Sequence, residues 1–125
     1  MKILHIIGSL APETGGTSEA VKLSANVMLD LGIEVEIATL DSSTHFTLTP
    51  NKFAYPVHLM GAEKRSYYGY SKRFNEWIQE RVSDYDAIII HGLWQYHSLA
   101  TSRVCRKQAI PYFVFIHGML DPWFN

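Results

Sequence analysis

The chain has 125 residues, of which 47% are hydrophobic and 18% are charged, and its formal net charge is -1. That length suits one domain, the hydrophobic fraction suffices for a core, and both argue against global disorder. A net charge near zero argues against nucleic acid as a partner, because nucleic-acid binding usually needs a basic patch.

Membrane-spanning and disulfide-bonded classes are disfavoured by the sequence. No run of about 18 apolar residues occurs, so no membrane span is expected. The apolar run at residues 3–7 is shorter than the roughly 7–15 residues of a signal-peptide core. A single cysteine, Cys105, excludes an internal disulfide, and a cytoplasmic setting fits.

The first half of the chain alternates short apolar runs with a helical period. Residues 3–7 are typical of a buried parallel strand, and a loop follows at residues 8–16. Thr17 is expected to cap a helix that Gly32 ends. That helix has apolar residues at helical spacing, namely Val21, Ala25, Met28 and Leu31. Residues 35–40 predict a second strand, residues 42–56 an irregular excursion, and residues 57–60 a short third strand.

The second half continues the alternation. Ser71 is expected to cap a helix whose apolar residues are Phe74, Trp77, Ile78 and Val82. Residues 86–91 predict a strongly buried strand, and residues 112–116 predict a fifth strand. Between them, residues 95–108 predict a helix with Leu99, Ala100 and Val104 on one face.

Strands that alternate with helices indicate βαβ units and a parallel sheet. We therefore expect a doubly wound, Rossmann-like α/β fold with about five strands flanked by helices. The expected strand order is 3-2-1-4-5, with the topological switch between the first and fourth strands. Ligands of such sheets bind beyond the carboxyl ends of the strands at this switch, where three loops meet: residues 8–17, 91–94 and 117–120.

The first of these loops is a candidate phosphate site. Gly15, Gly16 and Thr17 stand at a helix N-terminus, where glycines allow close approach and free N–H groups favour an anion. The alternative is a plain strand–helix turn that needs glycine. The pattern G-x-G-x-x-G is absent, so a nicotinamide site is disfavoured, although Asp41 occupies the place of its ribose-binding acid.

Histidines follow two of the expected strands directly. His117 and His91 each precede a glycine, and either can hydrogen-bond a sugar hydroxyl or phosphate or move a proton near neutral pH. The alternative is a histidine satisfied by the backbone at a strand end. His5 is expected in the core, and His97 is expected to be structural or at the rim. A metal site is disfavoured, because no compact ligand pattern occurs.

A basic, tyrosine-bearing stretch lies between the third strand and the second helix. Its residues could bind an anionic acceptor or a membrane surface, or form a solvated loop, which is the favoured interpretation. They are Lys64, Arg65, Tyr67, Tyr68, Tyr70, Lys72 and Arg73.

Three segments resemble one enzyme family. The start of the chain with its Pro12–Thr17 loop and the Ile89–Trp94 segment are similar to the first domain of group 1 (family 4) glycosyltransferases. The most specific string runs from Ile110-Pro111-Tyr112 to His117-Gly118-Met119-Leu120-Asp121-Pro122-Trp123. The resemblance covers nearly the whole chain and is weakest over residues 42–70.

This resemblance implies a GT-B fold and transfer of a hexose from a nucleotide sugar to a glycan or lipid-linked acceptor, with retention and without a metal or cofactor. Gly15, Gly16 and Thr17 would contact the donor diphosphate, and His117 would lie at the reacting centre. His91, Trp94, Gly118 and Met119 would line the cleft on the acceptor side. The resemblance also implies a cytoplasmic protein that lies at the inner face of the membrane and takes part in polysaccharide synthesis.

The chain departs from the family in length. Residues 1–125 would form one N-terminal, acceptor-side domain, apparently truncated, and the C-terminal donor-binding domain with its paired glutamates is absent. The isolated chain is therefore expected to be inactive, because half a cleft supplies only part of the binding and orientation. The alternatives are half of a split enzyme completed by a partner chain, and a non-catalytic ligand-binding or regulatory module. Self-association or a second chain is expected at the apolar C-terminal end.

Overall fold

The parallel sheet is built from elements that closely follow the expected ones. The computed structural model describes residues 1–10, 16–41, 53–61, 71–92 and 96–115. In chain order the elements are β1 (Lys2–Ile7), α1 (Gly16–Asp30), β2 (Glu34–Thr39), β3 (Val57–Leu59), α2 (Lys72–Arg81), β4 (Ala87–His91), α3 (Tyr96–Gln108) and β5 (Tyr112–Phe115). A turn of 3-10 helix, Val82–Asp84, extends α2.

Strand order in this sheet is β3-β2-β1-β4-β5, and every pairing is parallel. Since β1 lies between β2 and β4, the chain returns from the β3 edge to the middle of the sheet. This confirms the doubly wound, Rossmann-like α/β fold and the switch between the first and fourth strands.

Helix α1 ends as expected but begins one residue earlier than expected. Gly32 has a φ of +82°, the Gly32 amide donates to Leu29 O at 2.9 Å, and the Ile33 amide donates to Met28 O at 2.9 Å. These two bonds are the Schellman arrangement that a glycine in the left-handed region permits. The predicted cap at Thr17 was wrong, because the helical backbone already starts at Gly16 and Thr17 lies in the first turn.

The predicted cap of α2 is confirmed. Ser71 has extended backbone, with φ -149° and ψ 115°, and its Oγ accepts from the Phe74 amide at 3.1 Å. The helix then buries Phe74 and Ile78 completely. Complete burial of each such side chain stabilises the fold by about 1.5–3 kcal/mol relative to exposure.

Helices cover the sheet from both sides, and each side has its own core. Helices α2 and α3 pack on one face, whose buried strand residues include Leu4, Ile6, Ala38, Ile88 and Ile90. Helix α1 packs on the other face, over a set that includes Ile3, Ile7, Val35, Ile37 and Ile89. None of the described helices is long and apolar enough to cross a membrane.

Some apolar residues of the predicted helices and of β5 face solvent. The helical spacing of apolar residues predicted that Leu31 and Leu99 would face the core. In the structure Leu31 is 72% exposed and Leu99 is 38% exposed. Strand β5 is an edge strand, and its Phe113, Val114 and Phe115 are 57%, 38% and 49% exposed. An edge strand with apolar side chains on both faces is a surface on which other protein segments can pack.

A buried carboxylate ties together the amino-terminal half of the sheet. Glu36 on β2 accepts from Tyr85 Oη at 2.7 Å and pairs with His58 Nε2 of β3 at 2.7 Å. Lys2 Nζ of β1 lies 3.2 Å from its other oxygen. These three partners hold the pKa of Glu36 below its ordinary value against the opposing effect of burial. The same bond to Glu36, together with burial, raises the pKa of Tyr85.

We expect Glu36→Gln to lower the free energy of unfolding by about 2 kcal/mol, because an ionised acceptor is replaced by a neutral amide that also carries donors. Tyr85→Phe, which removes one of the bonds, is the matched control and should cost about 1 kcal/mol. Urea unfolding at pH 7 measures both. A Glu36→Gln protein as stable as the parent would show that this carboxylate is not needed for the fold.

Candidate functional site

Only part of the predicted site lies among the described residues. Gly16 begins α1, Thr17 is half-buried in its first turn, and His91 is the last residue of β4. Gly15, Trp94, His117, Gly118 and Met119 lie outside the described residues, as do Lys64, Arg65 and the tyrosines beside them. The described site is therefore the framework at the carboxyl ends of β1, β2 and β4.

Asp41 fixes the segment that follows β1. Its Oδ1 accepts from Ser9 Oγ at 2.6 Å, and its Oδ2 accepts from the Leu10 amide at 2.7 Å and from Thr39 Oγ1 at 2.8 Å. The side chain is buried, and the Leu40 amide adds a bond to Gly8 O at 3.2 Å. In the sequence, Asp41 occupies the place of a ribose-binding acid. In the structure, its carboxylate instead accepts hydrogen bonds from the protein itself.

His91 faces into the protein rather than outward. The residue is 3% exposed, and its Nε2 lies 2.9 Å from Nδ1 of His5 on the neighbouring strand β1. The two rings stack with centroids 5.2 Å apart, and the ring of Phe115 meets His91 edge-on at 5.6 Å. On its far side, His5 Nε2 lies 3.3 Å from Met28 Sδ of α1. The ring of His91 is therefore held by β1, β5 and, through His5, by α1.

Burial keeps the inner histidine of this pair neutral. It lowers the pKa of His5 to about 4, since no water solvates a charge there. The expectation that His5 belongs to the core is confirmed, because the residue is 1% exposed.

Helix α3 reaches back to hold the backbone at the end of β4. His97 Nε2 donates to His91 O at 2.6 Å, and Ser98 Oγ donates to Gly92 O at 2.8 Å. The Gly92 amide donates to Phe115 O at 3.0 Å, and Gly92 has a φ of +107°, where glycine is favoured. His97 is fully buried, and burial lowers its pKa against the opposing bond to His91 O. His97 is thus structural, which was one of its two predicted roles.

The described residues form no group of three or more histidine, cysteine, aspartate or glutamate side chains that could hold a metal ion. His91 and His97 have separate partners, since one ring faces His5 and the other faces a carbonyl. Cys105 is buried, and burial raises the pKa of its thiol to about 11. A thiol with so high a pKa is a poor nucleophile.

Two ion pairs lie near the starts of α1 and α2, and each joins residues three or four positions apart. Lys72 and Arg73 of the basic stretch lie in the first turn of α2, where Lys72 Nζ is 3.8 Å from Glu76. Glu19 in the first turn of α1 accepts from Lys22 at 3.3 Å. Pairs of this kind contribute little to stability.

Sequence reasoning missed two features of this framework: the His5–His91 contact and the Asp41 brace. A signal for the first was present. His5 pairs in register with Ile89, and side chains alternate along a strand, so His91 belongs on the same face as His5. The signal becomes usable once strand order and register are both known.

Stability should fall between pH 7 and pH 5 because of His5. The unfolded chain takes up a proton near the ordinary value of 6.5, whereas the folded chain takes it up near 4, so stability is lost as pH falls through this window. The loss from this residue is about 2 kcal/mol by linkage. His5→Phe should remove most of it, leaving the part due to His97, whereas Met28→Leu should keep it. Urea unfolding at both pH values measures this, and an undiminished loss in His5→Phe would contradict the assignment.

Asp41→Asn should lower the free energy of unfolding by about 2 kcal/mol, because the amide nitrogen meets groups that donate to the carboxylate. Ser9→Ala removes one of these bonds and should cost about 1 kcal/mol. Amide hydrogen exchange gives a local measurement, in which Leu10 should lose protection in Asp41→Asn. Full protection of Leu10 in that variant would show that the segment is held by other means.

Comparison with known proteins identifies the fold but no family. No family model matches the chain, and no curated protein matches it. The C-terminal domain of a Pyrococcus furiosus hydrogenase is similar in structure, with a TM-score of 0.64 and 17% identity over 92% of this chain and 91% of that one.

A second similar structure is a UGT transferase from Siraitia grosvenorii in complex with UDP, with a TM-score of 0.51 and 10% identity. The match covers 99% of this chain and 32% of that chain, so this chain spans about a third of the transferase's length. At these identities the likeness establishes a Rossmann-like α/β fold that resembles both a glycosyltransferase domain and a hydrogenase domain.

Proposed function

We propose that this chain is the N-terminal, acceptor-side domain of a retaining glycosyltransferase of group 1 (family 4). The complete enzyme would transfer a hexose from a nucleotide sugar to a glycan or lipid-linked acceptor. The likeness to a transferase that binds UDP supports a nucleotide sugar as the co-substrate. The proposed setting is the cytoplasm, at the inner face of the membrane.

The observation that carries the proposal is the adjacency of β4 and β5. His91 pairs in register with Phe115, so the two His-Gly sequences leave neighbouring parallel strands on the same edge of the sheet. Strand β1, whose continuation contains Gly15 and Gly16, lies on the other side of β4. Because ligands of doubly wound sheets bind at this edge, the adjacency of the strands that precede the motif residues in the chain supports a sugar-nucleotide site here.

The proposed roles follow the chemistry of each group. Gly15, Gly16 and Thr17 precede or open α1, and the N-terminal N–H groups of this helix favour the donor diphosphate. His117 would contact the transferred sugar at the reacting centre, where an imidazole can donate a hydrogen bond or move a proton. Glu19 in the first turn opposes an anion, but its pairing with Lys22 reduces that effect.

The remaining cleft residues act from the β4 and β5 ends. Trp94, Gly118 and Met119 would line the acceptor side. The buried ring of His91 supports a role in which this residue fixes the strand end. No metal or organic cofactor takes part in the proposed reaction. The bond from the anomeric carbon to the diphosphate breaks, the acceptor oxygen bonds to that carbon on the same face, and the acceptor hydroxyl proton passes to the departing diphosphate.

A partner chain is a second candidate for the source of the donor-binding half of the cleft. The observation that favours it is the exposed apolar edge at Phe113, Val114 and Phe115. In this form of the proposal, a second polypeptide supplies the donor-binding domain and covers part of that edge. A second copy of the chain is the alternative occupant.

The pure chain should release no sugar from UDP- or GDP-sugars, and activity should appear when a donor-binding domain with paired glutamates is supplied, fused or in trans. In this completed enzyme, His117→Ala should lower kcat by roughly 10²-fold with little change in melting temperature, because positioned proton transfer contributes at least this much. Lys107→Ala, which changes an exposed residue in the last turn of α3, is the control and should be as active as the parent.

Two results would contradict the proposal. Clear turnover by the pure chain would show that the second half is not needed. A His117→Ala enzyme with parental kcat would return His117 to a structural role at the strand end.

A further inference from the structure

The proton positions of the His5–His91 pair follow from the atom at its far end. A thioether sulfur accepts hydrogen bonds and has no proton to donate. His5 Nε2 lies 3.3 Å from Met28 Sδ, so this nitrogen carries the proton. A neutral imidazole has one N–H, and Nδ1 of His5 is therefore an acceptor.

The tautomer of His5 determines which nitrogen of His91 carries the proton. His91 Nε2 lies 2.9 Å from the accepting Nδ1 of His5, so Nε2 of His91 is the donor and carries its proton. Nδ1 of a neutral His91 is then a lone-pair acceptor, and any group that binds it must donate, as a hydroxyl or an N–H does.

Rotation of the His91 ring is restricted as well. The ring stacks on His5 with an interplanar angle of 20° and meets Phe115 nearly perpendicularly, at 79°. The carbonyl of the same residue accepts from His97, and the next amide, Gly92, donates to Phe115 O. Side chain and backbone of His91 are thus held by separate elements, β1, α3 and β5, at the end of β4.

We propose that His5 is a positioning residue of the proposed site: it fixes His91 as the Nε2–H tautomer and, through it, the end of β4 at His91 and Gly92. The relevance to a cleft rests on the proposed function, whereas the tautomer does not. Met28 selects the tautomer of His5 and thereby determines which nitrogen of His91 is protonated.

The opposite proton arrangement shows why Met28 is decisive. If His5 carried its proton on Nδ1, that nitrogen would donate to His91 and leave the His5 Nε2 lone pair against the lone pairs of Met28 Sδ. Replacing the sulfur of Met28 with carbon removes this lone-pair repulsion. Met28→Leu conserves volume, so the fold should be retained while the preference for one arrangement is lost.

Long-range ¹H–¹⁵N NMR of the imidazole rings at pH 7 tests the proposal, since it distinguishes protonated from unprotonated ring nitrogens. In the full chain, His5, His91 and His97 should each be Nε2–H tautomers. In Met28→Leu, the signals of both His5 and His91 should shift towards a mixture of tautomers, while His97 should be unchanged. Loss of the donor–acceptor pair in His5→Phe should also shift the His91 nitrogens and reduce the exchange protection of the Gly92 amide.

Leu23→Met on the exposed face of α1 is the matched control, because this change alters a side chain that is 67% exposed. It should leave every imidazole signal in place. A His91 ring protonated on Nδ1 in the unaltered chain would overturn the proposal, and so would unchanged His91 signals in Met28→Leu. These readouts need no sugar transfer, so failure of the proposed function would appear only in the turnover assay.

Discussion

A sheet covered on both faces forces every polar side chain on its inner strands to find a partner inside the protein. An unpaired buried donor or acceptor costs about 1–3 kcal/mol, so the polar positions constrain the arrangement of strands as strongly as the apolar ones. Glu36 joins β2 to β1, β3 and Tyr85. Asp41 joins the end of β2 to the segment after β1. His5 joins β1 to β4 and α1.

These three groupings divide the sheet into two ends with different tasks. The Glu36 group lies towards the amino-terminal ends of the strands, away from the edge where ligands bind, and its partners satisfy the carboxylate completely. Asp41 and His91 lie at the carboxyl end. There each holds the start of a loop that carries predicted site residues, and each is held by side chains from other elements. Rigid strand ends are what a site made of loops requires, because small misplacements of reacting groups are costly.

Much of this fold was predictable because its signals are local. The period of apolar residues gave the strands and helices, and Ser71 and Gly32 mark helix ends through bonds made within a few residues. The exposure of Leu31 was not predictable from the same period, since exposure depends on which neighbours cover a helix. The His5–His91 contact joins residues separated by 86 positions, and it exists only in one register of β1 against β4. The tautomers of His5 and His91 are harder still to predict from the sequence, because they depend on the position of the Met28 sulfur beside His5.

A fold similar to both a hydrogenase domain and a transferase domain does not decide the chemistry, so the distinction has to come from the strand ends. The buried framework is compatible with either, since its bonds serve the fold. What differs between chemistries is the set of residues that leave β1, β4 and β5. Here the segments that follow these strands contain glycines, His117 and Trp94, together with the carboxylates Glu13 and Asp121. The proposed function therefore depends on these segments and on the experiments that alter them. The buried framework around His91 acts on that set indirectly, because the residue is 3% exposed and its ring packs against His5, where it fixes the end of β4.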